Sequence, residues 1–123
     1  MSLILVVDDH AATREPLAKL LRYEGYETTE ACNGAEALEA LRERKPDLVL
    51  LDMLMPTMDG VTFLSRAKDE PHGTGLPVIV VTGGRAAAEL HNAGDLPGVV
   101  DVMSKAHFTV DGLLTRIRAH LAA

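Results

Sequence analysis

Aromatic side chains are nearly missing from this sequence, which has two Tyr, two Phe and no Trp among 123 residues. A core without large rings has to be assembled from Leu, Val, Ile, Ala and Met. Apolar residues make up 47% of the chain, enough for one compact domain. Cysteine occurs once, at Cys32, so an internal disulfide is excluded and no oxidising compartment is implied. Cys32 itself reads as a small, buried apolar residue. Long apolar runs are also missing: none reaches the ~18 residues of a membrane span. The opening Met1-Ser2-Leu3 brings no basic leader and no cleavage site, which points to the cytoplasm. Positive charge is scarce. Twelve Lys and Arg stand against 18 Asp and Glu, a formal net charge of −6 with no basic run, which argues against direct nucleic-acid binding.

Short apolar runs are present, at Leu3–Val7, Leu48–Leu51, Val78–Val81 and Val99–Met103. Runs of this length suit strands buried on both faces, as in a parallel sheet. A fifth segment, Glu27–Ala31, is polar and rich in Thr and reads as an edge strand. Helical patterns lie between the runs. Leu17, Leu20 and Leu21 share a face of a helix from about Ala11 to Glu24, stopped by Gly25 and bent or weakened at Pro16. Asn33 and Glu36 form a capping-box pattern for a helix through Arg44, with Ala37, Leu38 and Leu41 buried. Asp59 caps the next helix, with Val61, Leu64 and Ala67 facing inward. Arg85–Asn92 reads as a short helix ended by Gly94, and Leu113, Leu114, Ile117 and Leu121 stripe the last helix. Strand and helix thus alternate five times. That order predicts an α/β domain: a three-layer, doubly wound, five-stranded parallel sheet covered by helices on both faces.

Ligands of open parallel sheets bind beyond the carboxyl ends of the strands. Asp8-Asp9 follow the first run, Asp52 follows the Leu48–Leu51 run, Thr82 and Gly83-Gly84 follow Val78–Val81, and Ser104-Lys105 close the last strand. Three carboxylates, a hydroxyl and an ammonium would converge on one edge. Clustered carboxylates repel one another and call for cations. A hard divalent ion with oxygen ligands fits, and magnesium (Mg2+) commonly takes one or two carboxylates with waters and a phosphate. Lys105 would balance charge from the other side, and Thr82 offers a donor to a phosphoryl oxygen. Phosphoryl transfer needs positioning, a metal and fixed positive charge, and an Asp carboxylate is a competent nucleophile for it.

Leu5-Val6-Val7-Asp8-Asp9, the run Asp52-Met53-Leu54-Met55-Pro56-Thr57-Met58-Asp59-Gly60, then Val80-Val81-Thr82-Gly83, and finally Lys105 resemble the receiver domain of two-component response regulators over essentially the whole chain, 1–123. The resemblance implies the flavodoxin-like strand order 2-1-3-4-5. It makes Asp52 the phosphoacceptor. Asp9, Asp52 and the Leu54 carbonyl would bind Mg2+ directly, Asp8 would bind it mainly through water, and Thr82 and Lys105 would contact the phosphoryl oxygens. It also implies a sensor histidine kinase or histidine phosphotransfer protein as phosphodonor, an effector of unknown identity, and a monomer or weak dimer. Self-phosphorylation and slow self-dephosphorylation would be its only catalysis. Leu54 and Gly84, two residues beyond Asp52 and Thr82, have no side chain that orients an attacking water. Gly83 would leave the phosphorylated site open to a partner, and Pro56 and Gly60 would shape the loop leaving it.

Three features depart from the family pattern. Val102 stands three residues before Lys105, where many receivers have Tyr or Phe. Ala106 stands where the family usually has Pro, so a cis bond there would cost ~3–4 kcal/mol. The helix at 85–92 is about one turn short, and Phe108 is available to replace lost packing. Readout is therefore open, which keeps an interaction domain with atypical readout as one alternative. A second is a Mg2+-dependent phosphatase with an Asp nucleophile. That chemistry usually needs another Asp two residues on, and Asp52-Met53-Leu54 and Asp8-Asp9-His10 do not supply it. The five His residues show no metal-ligand spacing, although His10 falls at the rim of the acidic pair.

Overall fold

A computed structural model describes residues 2–53, 58–83, 98–105 and 109–121. The elements are β1 (Leu3–Val7), α1 (Ala11–Tyr23), β2 (Glu27–Ala31), α2 (Gly34–Glu43), β3 (Leu48–Leu51), α3 (Gly60–Ala67), a 3-10 turn (Pro71–Gly73), β4 (Val78–Thr82), β5 (Val99–Ser104) and α4 (Val110–Leu121). The strands form one parallel sheet in the order β2-β1-β3-β4-β5, as expected. The helix expected over Arg85–Asn92 and its Gly94 stop, as well as Leu54, Pro56, Gly84, Ala106 and Phe108, lie outside the described residues.

Alternation along each central strand builds two cores. Leu5, Val7, Val49, Leu51, Val78 and Val80 face α2 and α3, while Ile4, Val6, Leu48, Leu50, Ile79 and Val81 face α1 and α4. Because both faces are covered, these strands are apolar up to Thr82 at the end of β4, and the pattern appears as unbroken runs. β2 is an edge strand, and only Ala31 in it is buried. β5 departs from its apolar composition. It forms the other edge, Met103 is its one buried residue, and Val100 is 44% exposed. Its register slips beside Val78/Ile79, where Val78 pairs with Val99 but Ile79 with Asp101, a bulge that leaves Val100 unpaired.

The helix ends follow local chemistry. Gly25, at φ +97°, closes α1: its N–H donates to the Arg22 carbonyl and the Tyr26 N–H to the Leu21 carbonyl. Pro16 does not end α1. The Asn33 side chain accepts from the Glu36 N–H at 2.9 Å. The Glu36 carboxylate reaches the Cys32 N–H at 2.9 Å, one residue short of the usual capping-box partner. Cys32 is partly exposed, not buried. Val61 is corrected too: it is 50% exposed, and the buried face of α3 is Gly60, Phe63, Leu64 and Ala67. Positions 60, 63, 64 and 67 share one helical face, and Phe63 outcompetes Val61 for it because its ring buries far more apolar area.

Candidate functional site

The parallel register brings the acids together. Val7 pairs with Leu51, so Asp8 and Asp52, one residue further along each strand, are neighbours beyond the sheet's carboxyl edge. The Asp52 N–H donates to the Val7 carbonyl and the Asp8 N–H to the Ala31 carbonyl, which extends the ladder by one step. Thr82 ends β4, and Lys105 follows β5 directly. Asp8 and Asp52 are each 5% exposed and Thr82 is fully buried. Four strand ends therefore converge as the spacing predicted.

The contacts are direct. Thr82 Oγ1 donates to Asp52 Oδ1 at 3.1 Å. Lys105 Nζ donates to Asp52 Oδ2 at 3.2 Å and to Asp8 Oδ2 at 3.1 Å. The remaining Asp8 oxygen accepts the His10 N–H at 2.9 Å. Burial of the Lys105 ammonium works to lower its pKa. The hydrogen bond to Asp8 and the charges of Asp52 and Asp8 outweigh that, and the net shift is upward. Lys105 is thus held cationic between two carboxylates.

One ammonium does not balance three carboxylates. Asp9 Oδ1 is buried and, among the described residues, has no hydrogen-bond donor. His10 Nδ1 lies 3.1 Å from it, within ion-pair range, without forming a hydrogen bond. A buried acceptor without a donor is costly unless a cation supplies the missing interaction. Ligand atoms of Asp8, Asp9, His10 and Asp52 all lie within 4.8 Å of one another, so the group is able to hold a metal ion. Leu54, expected to lend its carbonyl, lies outside the described residues.

One support was not anticipated. The Arg14 guanidinium donates to the Asp8 carbonyl at 2.9 Å and to Glu30 at 3.1 Å, tying the end of β1 to α1 and β2. Its trace in the sequence is a cation in a helix's first turn, where the macrodipole disfavours one unless something local compensates. Gly60 packs against the loop leaving Asp52. A Cβ there would stand 2.8 Å from the Met53 Cα, and the Gly60 N–H donates to the Met53 carbonyl. Among the described residues, a Cβ at Gly83 would meet only Lys105 side-chain carbons, 3.9 Å away. A cavity of about 440 Å³ opens beside Asp8, Asp52 and Lys105, walled by Pro16, Leu17 and Leu20 of α1 and by Val110. Val102 is half-buried, packs against the core shared with α2 and α3, and accepts a hydrogen bond from Arg116 on its carbonyl. Among the described residues, no helix is long and apolar enough to cross a membrane.

The sequence and fold are similar to those of known proteins. The model of the response regulator receiver domain matches residues 4–118. The probable transcriptional regulatory protein TcrX of Mycobacterium tuberculosis is 37% identical over 118 residues, which are 96% of this chain and 49% of that protein. The chain therefore spans about half the length of the curated relatives it matches. Among solved structures, a putative response regulator from Chloroflexus aurantiacus superposes with a TM-score of 0.84 at 31% identity, covering 99% of this chain and 98% of that one. The receiver domain of NtrX from Brucella abortus superposes with a TM-score of 0.82 at 31% identity, covering 98% of both.

Proposed function

The chain belongs to the response regulator receiver domain family, and from that premise we propose that Asp52 accepts a phosphoryl group from a phosphohistidine of a sensor histidine kinase or histidine phosphotransfer protein. The observation that carries this reading is the disposition of donors on Asp52. Thr82 and Lys105, from two other strand ends, each hold one of its buried oxygens, while Asp9 beside it keeps an oxygen without a donor among the described residues. A carboxylate with this environment is oriented as a nucleophile and faces a place for a cation.

In the step proposed, a carboxylate oxygen of Asp52 attacks phosphorus. The P–N bond to the donor imidazole breaks, its electron pair leaves with the nitrogen, and an acyl phosphate forms. Lys105 and Thr82, already within reach of Asp52, re-aim their N–H and O–H donors from the carboxylate to the phosphoryl oxygens. Asp9 and Asp52, with the Leu54 carbonyl, would hold Mg2+ directly, and Asp8 through water. The ion, when bound, neutralises charge on the carboxylates and the incoming phosphoryl group. Asp8, bonded to Lys105 and to the His10 N–H, keeps the ammonium between the two acids. Leu54 and Gly84 supply no polar side chain for a water, which supports slow loss of the phosphoryl group. We read 1–123 as one receiver domain, monomeric or weakly dimeric and cytoplasmic. Its phosphorylated form would be distinguished by an effector in the same polypeptide or a separate one.

Intact-mass measurement after incubation with Mg2+ and a small phosphodonor tests this. One phosphoryl adduct is expected on the wild-type protein and none on Asp52→Asn. An adduct that persists in Asp52→Asn, or that forms equally well with the divalent ion chelated, sinks the reading.

A further inference from the structure

His10 does more than border the acidic pair. Its backbone is fixed: the N–H donates to Asp8 Oδ1 at 2.9 Å, and its carbonyl receives the Thr13 and Arg14 N–H groups in the first turn of α1. Its side chain caps nothing and is 67% exposed, yet Nδ1 lies 3.1 Å from the donorless Asp9 oxygen and 3.5 Å from Asp8 Oδ1. Two donors bound side by side to an octahedral ion at roughly 2.0–2.1 Å stand about 3 Å apart. The 3.1 Å separation, with no hydrogen bond made to that oxygen, matches the spacing of two atoms that share a third point. We propose that His10 is a nitrogen ligand of the acidic site, so that this receiver selects a first-row transition divalent ion over Mg2+. The proposal rests on the reading of Asp9 and Asp52 as metal ligands.

The chemistry behind the selectivity is the donor set. Carboxylate and carbonyl oxygens suit Mg2+, whereas imidazole nitrogen favours iron, nickel, copper and zinc, with affinity rising along the first row. Mg2+ gives up its waters reluctantly and gains little from a nitrogen donor. An ion such as Co2+, at the middle of that series, gains a bond when His10 closes on it.

Calorimetric titration of the full chain with Mg2+ and with Co2+ separately, for the wild type, His10→Ala and Asp9→Asn, decides the matter. The wild type should bind Co2+ at least about tenfold tighter than Mg2+, and His10→Ala should lower that ratio by about tenfold. Proton NMR of the Co2+ form should show a paramagnetically shifted imidazole N–H signal that exchanges in D2O and is lost in His10→Ala. A Co2+/Mg2+ ratio that His10→Ala leaves in place overturns the proposal, as does a shifted imidazole signal that survives the substitution. If Mg2+ binds and needs Asp9 while the ratio ignores His10, only this proposal falls. If neither ion binds the wild type, or Asp9→Asn leaves Mg2+ binding intact, the metal reading under Proposed function falls with it.

Discussion

Lys105→Ala removes the ammonium that stands between Asp8 and Asp52, at 3.1 and 3.2 Å from their oxygens. Each contact has a gross Coulomb energy of about 5 kcal/mol at an effective dielectric near 20, most of which is cancelled by desolvation. The net cost is bracketed by two regimes. Fully exposed pairs contribute about 0–1 kcal/mol, and breaking a buried pair costs about 3–5 kcal/mol. The carboxylates here are 7% and 5% exposed, but the lysine side chain is 30% exposed, so the pair falls between. A loss of about 2 kcal/mol is expected in the absence of divalent ions. The same change removes the ammonium's positive charge from beside Asp8 and Asp52, so Mg2+ should stabilise the variant more than it stabilises the wild type. Urea unfolding followed by far-UV circular dichroism, with chelator and with saturating Mg2+, measures both effects, since the chain has no Trp to report by fluorescence. If Lys105→Ala unfolds at the wild-type midpoint and its Mg2+ stabilisation equals the wild type's, the ammonium is not coupled to the acids and the charge argument is wrong.

Three further outcomes follow from named contacts. Phe63→Ala should cost about 3–5 kcal/mol, and Val61→Ala no more than about 0.5 kcal/mol; the reverse ranking in chemical unfolding would refute the inward face assigned to α3. Gly60→Ala drives a Cβ against the Met53 backbone and should cost about 1–3 kcal/mol, with shifted NMR resonances around Asp52; an unperturbed spectrum would show that the approach is not tight. Asp59 accepts the Thr62 N–H at 2.8 Å, and that backbone hydrogen bond lowers its pKa below the ordinary 3.8. Its contribution to stability is therefore present above that ordinary value and is lost as pH falls through the lower folded one. Asp59→Asn, which keeps an acceptor oxygen, should flatten this part of the acid limb. Asp59→Ala should lose about 1 kcal/mol at neutral pH, and an acid limb identical in all three proteins would count against the cap.

The sheet was legible because both its faces are covered. Leu3–Val7, Leu48–Leu51 and Val78–Val81 read as strands from unbroken apolar runs, and the polar Glu27–Ala31 read as an edge. Helix caps are equally local, which is why Asn33 and Asp59 stand at their predicted positions. Where two apolar residues competed for one face, as Val61 and Phe63 did, sequence spacing alone could not rank them. Neighbours across the core decided it. β5 misled for the same reason, because its composition resembles a central strand while its place at the sheet's edge leaves Val100 in the open.

By itself, the sequence determined that Asp8, Asp9, Asp52, Thr82 and Lys105 would stand at successive strand ends, because strand periodicity and chain order are local properties. Only the tertiary structure decided which oxygen each donor serves, that Arg14 braces the Asp8 backbone, and that Asp9 Oδ1 is left without a donor beside His10. Those facts depend on register between strands far apart in the chain and on the angle at which α1 leaves the sheet. Hydrogen-bond geometry at that scale is set by packing, which no stretch of residues carries alone.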